Sequence, residues 1–235
     1  TLRMPLLGWQ AYHNGVLDEK NAVDTAGSFL VRRSLEPSGY AYGNASLYMT
    51  AAVFAGSYVV LRGANELGLS GIGGADDFAF LYLDRPELFL FLARCVSALF
   101  GVIEAAAVFL LVQLVAKDRF WAWVAFFLVW TDPVSCRQSA EALPGIVMAA
   151  FGVLSLCAAF PRDEGRLFWR WFAAGAFLGL SMASKYTGIL FAPGIVFASL
   201  SSTMDRGGHW KIGAIWGGVA AGFALGMPYA FLAFG

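Results

Sequence analysis

Three acids fall within seven positions of HNGVLDEKNAVD, residues 13–24: Asp18, Glu19 and Asp24. Further along, Arg94 stands seven residues into a long apolar run. Asp132, Arg137 and Glu141 flank the turn TDPVSCRQSAEALP, and Lys185 interrupts SMASKYTGIL. Ionisable groups at membrane depth are costly and by default point to function. A mixed set of acids and bases at a lipid–water boundary suits one chemistry: a group held on a lipid phosphate moves to a hydroxyl. A carboxylate takes the hydroxyl proton as general base. Basic side chains hold the phosphate and stabilise the charge that develops as it departs. The plain alternative is snorkelling, with Arg94 and Lys185 reaching headgroups and the acids sitting in water. For any one residue the two readings are evenly matched; for the whole group the functional one is stronger. Glu104 differs: it lies mid-span in GVIEAAAVF, where it pairs with another helix or is protonated, and carries no catalytic role.

The elements that must position these groups are apolar. Of 235 residues, 59% are hydrophobic and 14% charged, with 21 Phe and 8 Trp. Mean hydropathy is +0.64. Soluble domains carry roughly 25% charged residues, so the composition points to an all-α, polytopic transmembrane helix bundle. Net charge is zero, and nothing suggests a nucleic-acid partner. Cys95, Cys136 and Cys157 are odd in number and lack CxxC spacing, which supports neither a disulfide framework nor a zinc site. They read as buried structural thiols.

A spanning helix needs about 20 apolar residues. The runs at 88–116, 120–136, 143–160, 167–184, 186–203 and 211–234 qualify, giving about six membrane helices. Backbone groups in lipid must be satisfied within the segment, and no strand-like alternation recurs. The run 46–61 is apolar but 16 residues long, and its length favours a helix lying along the interface. The connections then place Lys117, Arg119, Arg162, Arg166, Arg170, Arg206 and Lys211 on one side, which the positive-inside rule makes cytoplasmic. Residues 1–87, the turn at 136–142 and the corner at Lys185 fall outside. The expected organisation is a single module over 1–235: an external loop at 1–87 with its membrane-parallel helix, then the bundle at 88–235. The chain reads as truncated at both ends, a piece of a longer protein with at least one spanning helix upstream.

GLSGIGGADD, within 63–87, does not fit G-x-G-x-x-G after a strand and reads as a flexible loop with solvated Asp76 and Asp77. Asn44-Ala45-Ser46 is a glycosylation sequon, relevant only in a eukaryotic secretory pathway. Gly213, Gly217, Gly218, Gly222 and Gly226 line the last span at spacings that let helices approach closely.

Several segments resemble the GT-C glycosyltransferases, nearest the dolichyl-phosphate-mannose protein mannosyltransferase and aminoarabinose-transferase branch. LDEKNAVDTAGSFLVRRSLEP followed by YAYGNASLYMTAAVFAGSYVV resembles that family's first external loop, with its Asp-Glu pair and membrane-parallel helix. FLARCVSALFGVIEAAAVFLLVQLV resembles the next span, RQSAEALPGIVMAAF the second external loop, GLSMASKYTGILFAPG the lysine-bearing helix break, and GMPYAF the end of a later helix. The matches cover most of the chain in the right order. YAYGN lacks the usual proline after tyrosine, and Met227 replaces the usual Asn before Pro228. The resemblance implies Asp18 as general base with Glu19 beside it, and Glu141 as the second-loop acid. It places Arg94, Arg137 and Lys185 near the lipid phosphate, with Tyr186 and Tyr42 in the substrate contacts.

The expected activity is transfer of a sugar from a polyprenyl-phosphate donor to a hydroxyl on a protein, lipid or glycan, at the external or lumenal face of a plasma or ER membrane. Asp18, Glu19, Asp132 and Glu141 hold a divalent ion only if they converge; relatives generally need none, and the metal requirement stays open. A flippase for a lipid-linked anion would use the same basic groove without a base, but no inverted repeat is visible. A non-catalytic membrane subunit would need only Glu104 and the glycines.

Overall fold

The computed structural model describes residues 17–32, 34, 36, 44–160, 167–201 and 209–229. The described residues are mostly helical, with no strand among them, an all-α helical membrane bundle. In order, the helices are α1 (Leu17–Arg32), α2 (Ala45–Glu66), α3 (Ala75–Asp84), α4 (Pro86–Ala116), α5 (Arg119–Thr131), α6 (Pro133–Ala140), α7 (Pro144–Ala159) and α8 (Leu167–Ser184). A 3-10 helix (Tyr186–Phe191), α9 (Ala192–Ser201) and α10 (His209–Gly226) follow. Proline sets three of the starts. Pro86, Pro133 and Pro144 each open a helix at its first turn, where the missing N–H costs nothing. Asp132 caps α6 through Oδ2, which accepts from the Ser135 N–H at 2.7 Å.

Among the described residues two helices, α2 and α4, are long and apolar enough to cross a membrane, and a third qualifies if the bent pair α6–α7 is one span. Of the six runs expected to span, two are broken. The run 120–136 stops at Thr131, because Asp132 and Pro133 start a new helix, and α6 meets α7 at 117°. The run 186–203 begins as a 3-10 helix and becomes α-helical only at Ala192. The run 211–234 holds α10 up to Gly226, ahead of Pro228, and its residues 230–234 lie outside the described ones.

The segment expected along the interface, 46–61, is the centre of the 22-residue α2. Its length and composition are those of a span. Its buried contacts nevertheless gather at one end of the bundle. Phe54 meets Phe89 near the start of α4, and Ala45 packs with Ala183 and Met227. Phe89 is the hub of this region, with edge-on contacts to Phe54, Phe78 and Tyr82. Aromatic pairs of this kind contribute about 0.5–1.5 kcal/mol each beyond area burial, which fastens α2 and α3 to the start of α4.

The tightest packing joins α8 and α10. A Cβ at Gly175 or Gly179 would strike the backbone of Ile215 or Val219, and one at Gly218 or Gly222 would strike that of Phe172 or Ala176. Of the glycines expected to pack on the last span, Gly218, Gly222 and Gly226 do so, whereas Gly213 and Gly217 face open space. Glu104 is buried within the bundle rather than turned to lipid. Arg170, expected as a cytoplasmic loop charge, instead caps the end of α7 by donating to the Ala158 and Ala159 carbonyls at 3.1 and 2.7 Å. Lys211 is buried as well. The three cysteines are free and only half-buried. Cys136 and Cys157 point their thiols at the carbonyls of Trp130 and Ala107.

Candidate functional site

The site begins at the start of α1. Asp18 belongs to that helix, but its side chain lies outside the described residues, as does Tyr42. Glu19 is sealed from solvent, and so is Arg94 on α4. Their contact is two-pronged: Arg94 Nε donates to Glu19 Oε1 at 2.7 Å, and Nη2 donates to Oε2 at 2.8 Å. The planar guanidinium fits the carboxylate in this way, which gives strength and a fixed orientation. Glu19 Oε1 also accepts from the Ala142 N–H at 2.9 Å. One carboxylate thus ties α1, α4 and the α6–α7 turn together.

This geometry bears on two residues singled out in the sequence. Glu19 has both oxygens engaged by charge-assisted donors, which suits positioning rather than proton abstraction. Arg94 engages Glu19 inside the protein through Nε and Nη2. Both residues are fully buried, and Asp18 precedes Glu19 on α1.

Glu141 ends α6 with extended backbone. Its side chain is buried, and Oε1 accepts from Arg137 Nε at 2.9 Å. Arg137 itself is 71% exposed, one turn back on the same helix. The hydrogen bond and charge of Glu141 hold the Arg137 guanidinium more firmly protonated than usual. Asp132 is occupied as a helix cap. Among the described residues no three His, Cys, Asp or Glu side chains gather as a metal set.

Lys185 stands where α8 breaks. Its backbone is extended, φ −157° and ψ 131°, between the end of α8 and the 3-10 helix. The Gly188 N–H closes the corner onto the Lys185 carbonyl at 2.8 Å. A side chain at Gly188 would run into Ser181, so the corner needs glycine for close approach. The Lys185 side chain is exposed and forms no ion pair among the described residues. Tyr186 is 47% exposed, with its hydroxyl 4.0 Å from Met227 Sδ.

These groups share one end of the bundle. Ser181 on α8 donates to the Met148 carbonyl on α7 at 2.8 Å, which sets the register of the antiparallel pair. Lys185 lies four residues beyond Ser181, and Glu141 seven before Met148, so both leave at the same end. Glu19 and Arg94 join that end through Ala142. Ala45 joins it through its packing against Ala183 and Met227.

Three features went unread in the sequence. A water-sized cavity of about 10 Å³, lined by Ser46, Thr50 and Ser97 among apolar neighbours, lies beside the Ala142 turn. Tyr82 donates to Asp24, linking α3 to α1. Asn44 is fully buried, and neither its Oδ1 nor its Nδ2 has a hydrogen-bond partner among the described residues. That burial also removes the sequon from solvent, so Asn44 of the folded chain is no glycan acceptor. Only the sequon marked Asn44 in the sequence. The other two depend on contacts between elements distant in the chain.

No curated protein and no solved structure matches the chain. A family model described as dolichyl-phosphate-mannose-protein mannosyltransferase matches residues 89–231. The match takes in Arg94, Glu141, Lys185 and Met227 but not α1 or α2. It covers more than half of the chain, and the chain belongs to the dolichyl-phosphate-mannose-protein mannosyltransferase family.

Proposed function

We propose that this membrane glycosyltransferase moves a sugar from a polyprenyl-phosphate donor to an acceptor hydroxyl, with Asp18 as general base, on the external or lumenal face. The observation that supports this reading is the buried clasp of Glu19 on Arg94 and the Ala142 N–H. It anchors Glu19, the residue after Asp18 on α1, to the turn that carries Glu141, which supports a role for Asp18 at that end of the bundle. The acceptor oxygen attacks the anomeric carbon while the bond from that carbon to the phosphate oxygen breaks. The acceptor proton passes to the Asp18 carboxylate. The electron pair leaves with the polyprenyl phosphate, whose charge the exposed Lys185 ammonium stabilises. Tyr186 lies beside it as a further donor, and the apolar helix faces accommodate the lipid tail. The α2 helix lies along the membrane surface in this arrangement, since its buried contacts collect at the site end.

The test is transfer from a radiolabelled polyprenyl-phosphate sugar by the Asp18→Asn variant, with insertion and thermal stability measured in parallel. Transfer is expected to vanish while insertion and stability persist. Near-normal turnover would remove Asp18 from the mechanism. Donor crossing the bilayer with no glycosidic product, in wild type and variant alike, would identify a transporter instead.

A further inference from the structure

We propose that the cleft between α1, α2 and α3 binds a small organic cation, an ammonium group on an apolar stem. The cleft shares no residue with the transferase mechanism and keeps its chemistry whether or not that reading holds. It encloses about 290 Å³, close to the lower end of ligand pockets, roughly 300–1,000 Å³. Its walls are rings that lock one another. Tyr58 packs on Phe78, and Phe78 and Tyr82 pack on Phe89, with centroids 5.2, 5.2 and 4.9 Å apart. Tyr82 is held further by donating to Asp24 on α1. The ring positions are thus set before a ligand arrives, which lowers the cost of binding. Asp76 and Val59, both lining residues, are exposed, so the cleft is open to a ligand. Apart from Phe89, the lining precedes the segment matched by the family model, 89–231, and that match gives it no role.

Charge selects the occupant. Among the described residues the lining contains one charged side chain, Asp76, and no Lys, Arg or His. Asp76 and Asp77 are neighbours in the first turn of α3 and divide the work. Asp77 Oδ2 accepts from the Gly73 and Gly74 N–H groups at 3.0 and 2.9 Å and caps the helix. Asp76 lines the cleft and takes part in no ion pair among the described residues. A full negative charge therefore stands at a cavity whose remaining surface is mostly ring and aliphatic carbon. The faces of aromatic rings carry negative potential and attract cations, by roughly 2- to 5-fold in affinity for each ring at an exposed site. An anion is repelled by Asp76, and an uncharged apolar molecule leaves that charge unmatched. An ammonium on an apolar stem satisfies both the carboxylate and the rings.

The experiment uses three probes of nearly the same shape and different charge: choline, its uncharged carbon isostere neohexyl alcohol, and the anion tert-butylacetate. Calorimetry measures the binding of each to the whole chain in an uncharged maltoside detergent, for wild type, Asp76→Asn and Ala55→Phe, with thermal stability followed in parallel. Wild type is expected to bind choline roughly 5-fold or more tightly than the alcohol, the worth of one charge pair near the surface, and the anion more weakly still. Asp76→Asn keeps the shape, and Asp77 keeps the cap, so stability should hold while the preference for choline over the alcohol falls roughly 3- to 5-fold. Ala55→Phe places a ring in the cleft and should abolish choline binding. The source of the ammonium is then read in lipid discs. Choline binding in phosphatidylglycerol discs that disappears in phosphatidylcholine discs assigns the cleft to a lipid headgroup; binding in both assigns it to a soluble amine. Equal affinity for the three probes, or no choline binding by wild type, would overturn the proposal and leave the cleft to lipid chains. Should Ala55→Phe not fold, an unchanged preference for choline in Asp76→Asn overturns it equally.

Discussion

Glu19 and Arg94, 75 residues apart in the chain, meet in a two-pronged ion pair from which solvent is wholly excluded. Desolvating both charges offsets much of their attraction, so the pair is weak evidence for stability as such. Breaking it is another matter, because the survivor is left charged and buried. Glu19→Gln or Arg94→Met alone is expected to destabilise the protein by about 3–5 kcal/mol. The double variant Glu19→Met/Arg94→Met should recover most of that loss. What remains is the orphaned Ala142 N–H, about 1–3 kcal/mol. Thermal unfolding of the four proteins in detergent measures the cycle. Additive single losses, with no recovery in the double variant, would show that the two groups do not act as a pair.

The helices were legible in the sequence because apolar runs and their polar punctuation report directly on solvent. Proline and Asp132 explain the unexpected break inside 120–136, and both stand in plain view. Their effect was missed because hydropathy alone joins Asp132–Cys136 to the run before it. The candidate residues were legible as a group, since charge in apolar sequence stands out at once. Their division of labour was not. Asp18 and Glu19 are indistinguishable by type, and only the fold shows that Glu19 faces Arg94. Asn44 carries no charge, so its isolation becomes visible only when burial and partners are known together.

The α8–α10 interface gives a contrast within a single helix. Gly222 and Gly218 lie against backbone atoms of α8, which cannot retreat without the whole helix moving. Gly222→Ala is expected to cost about 1–3 kcal/mol through overpacking. Gly213→Ala and Gly217→Ala face open space and should be neutral or add up to about 1 kcal/mol of helix stability. Thermal unfolding separates the two classes. Equal tolerance at Gly222 and Gly217 would contradict the packing described.

Tyr82 provides a pH-dependent contact away from the bundle. It lines a cleft of about 290 Å³ with Tyr58, Phe78 and Phe89, and donates to Asp24. Burial first, and then the hydrogen bond and charge of Asp24, push its phenol well above the ordinary value of 10.0. The folded chain therefore keeps a proton that the unfolded chain releases near pH 10. Stability is unaffected below that pH and falls as pH rises through it. Tyr82→Phe should flatten the decline above pH 10, while lowering stability slightly at neutral pH through loss of the link to Asp24. Unfolding temperature followed from pH 7 to 11 in both proteins checks this. Parallel declines would mean that Tyr82 is not the group responsible.

Lys185 and Arg137 are both cations at the site end, and the structure gives them different surroundings. Arg137 already holds Glu141 at 2.9 Å, so its charge is partly committed. Lys185 is exposed at the helix break with no acid paired to it among the described residues. If Lys185 meets the donor phosphate, Lys185→Gln should raise the donor KM or lower kcat/KM by roughly 10- to 100-fold, with little change in thermal stability. Lys185→Arg keeps the charge and should restore part of the loss, though the broader fork does not sit as an ammonium does. Arg137→Gln acts differently: it strips Glu141 of a partner while Glu141 stays buried, so stability should fall along with activity. Steady-state kinetics and unfolding curves on the same preparations distinguish the two patterns. A Lys185→Gln variant with wild-type kinetics would place the phosphate elsewhere, whatever Arg137 does.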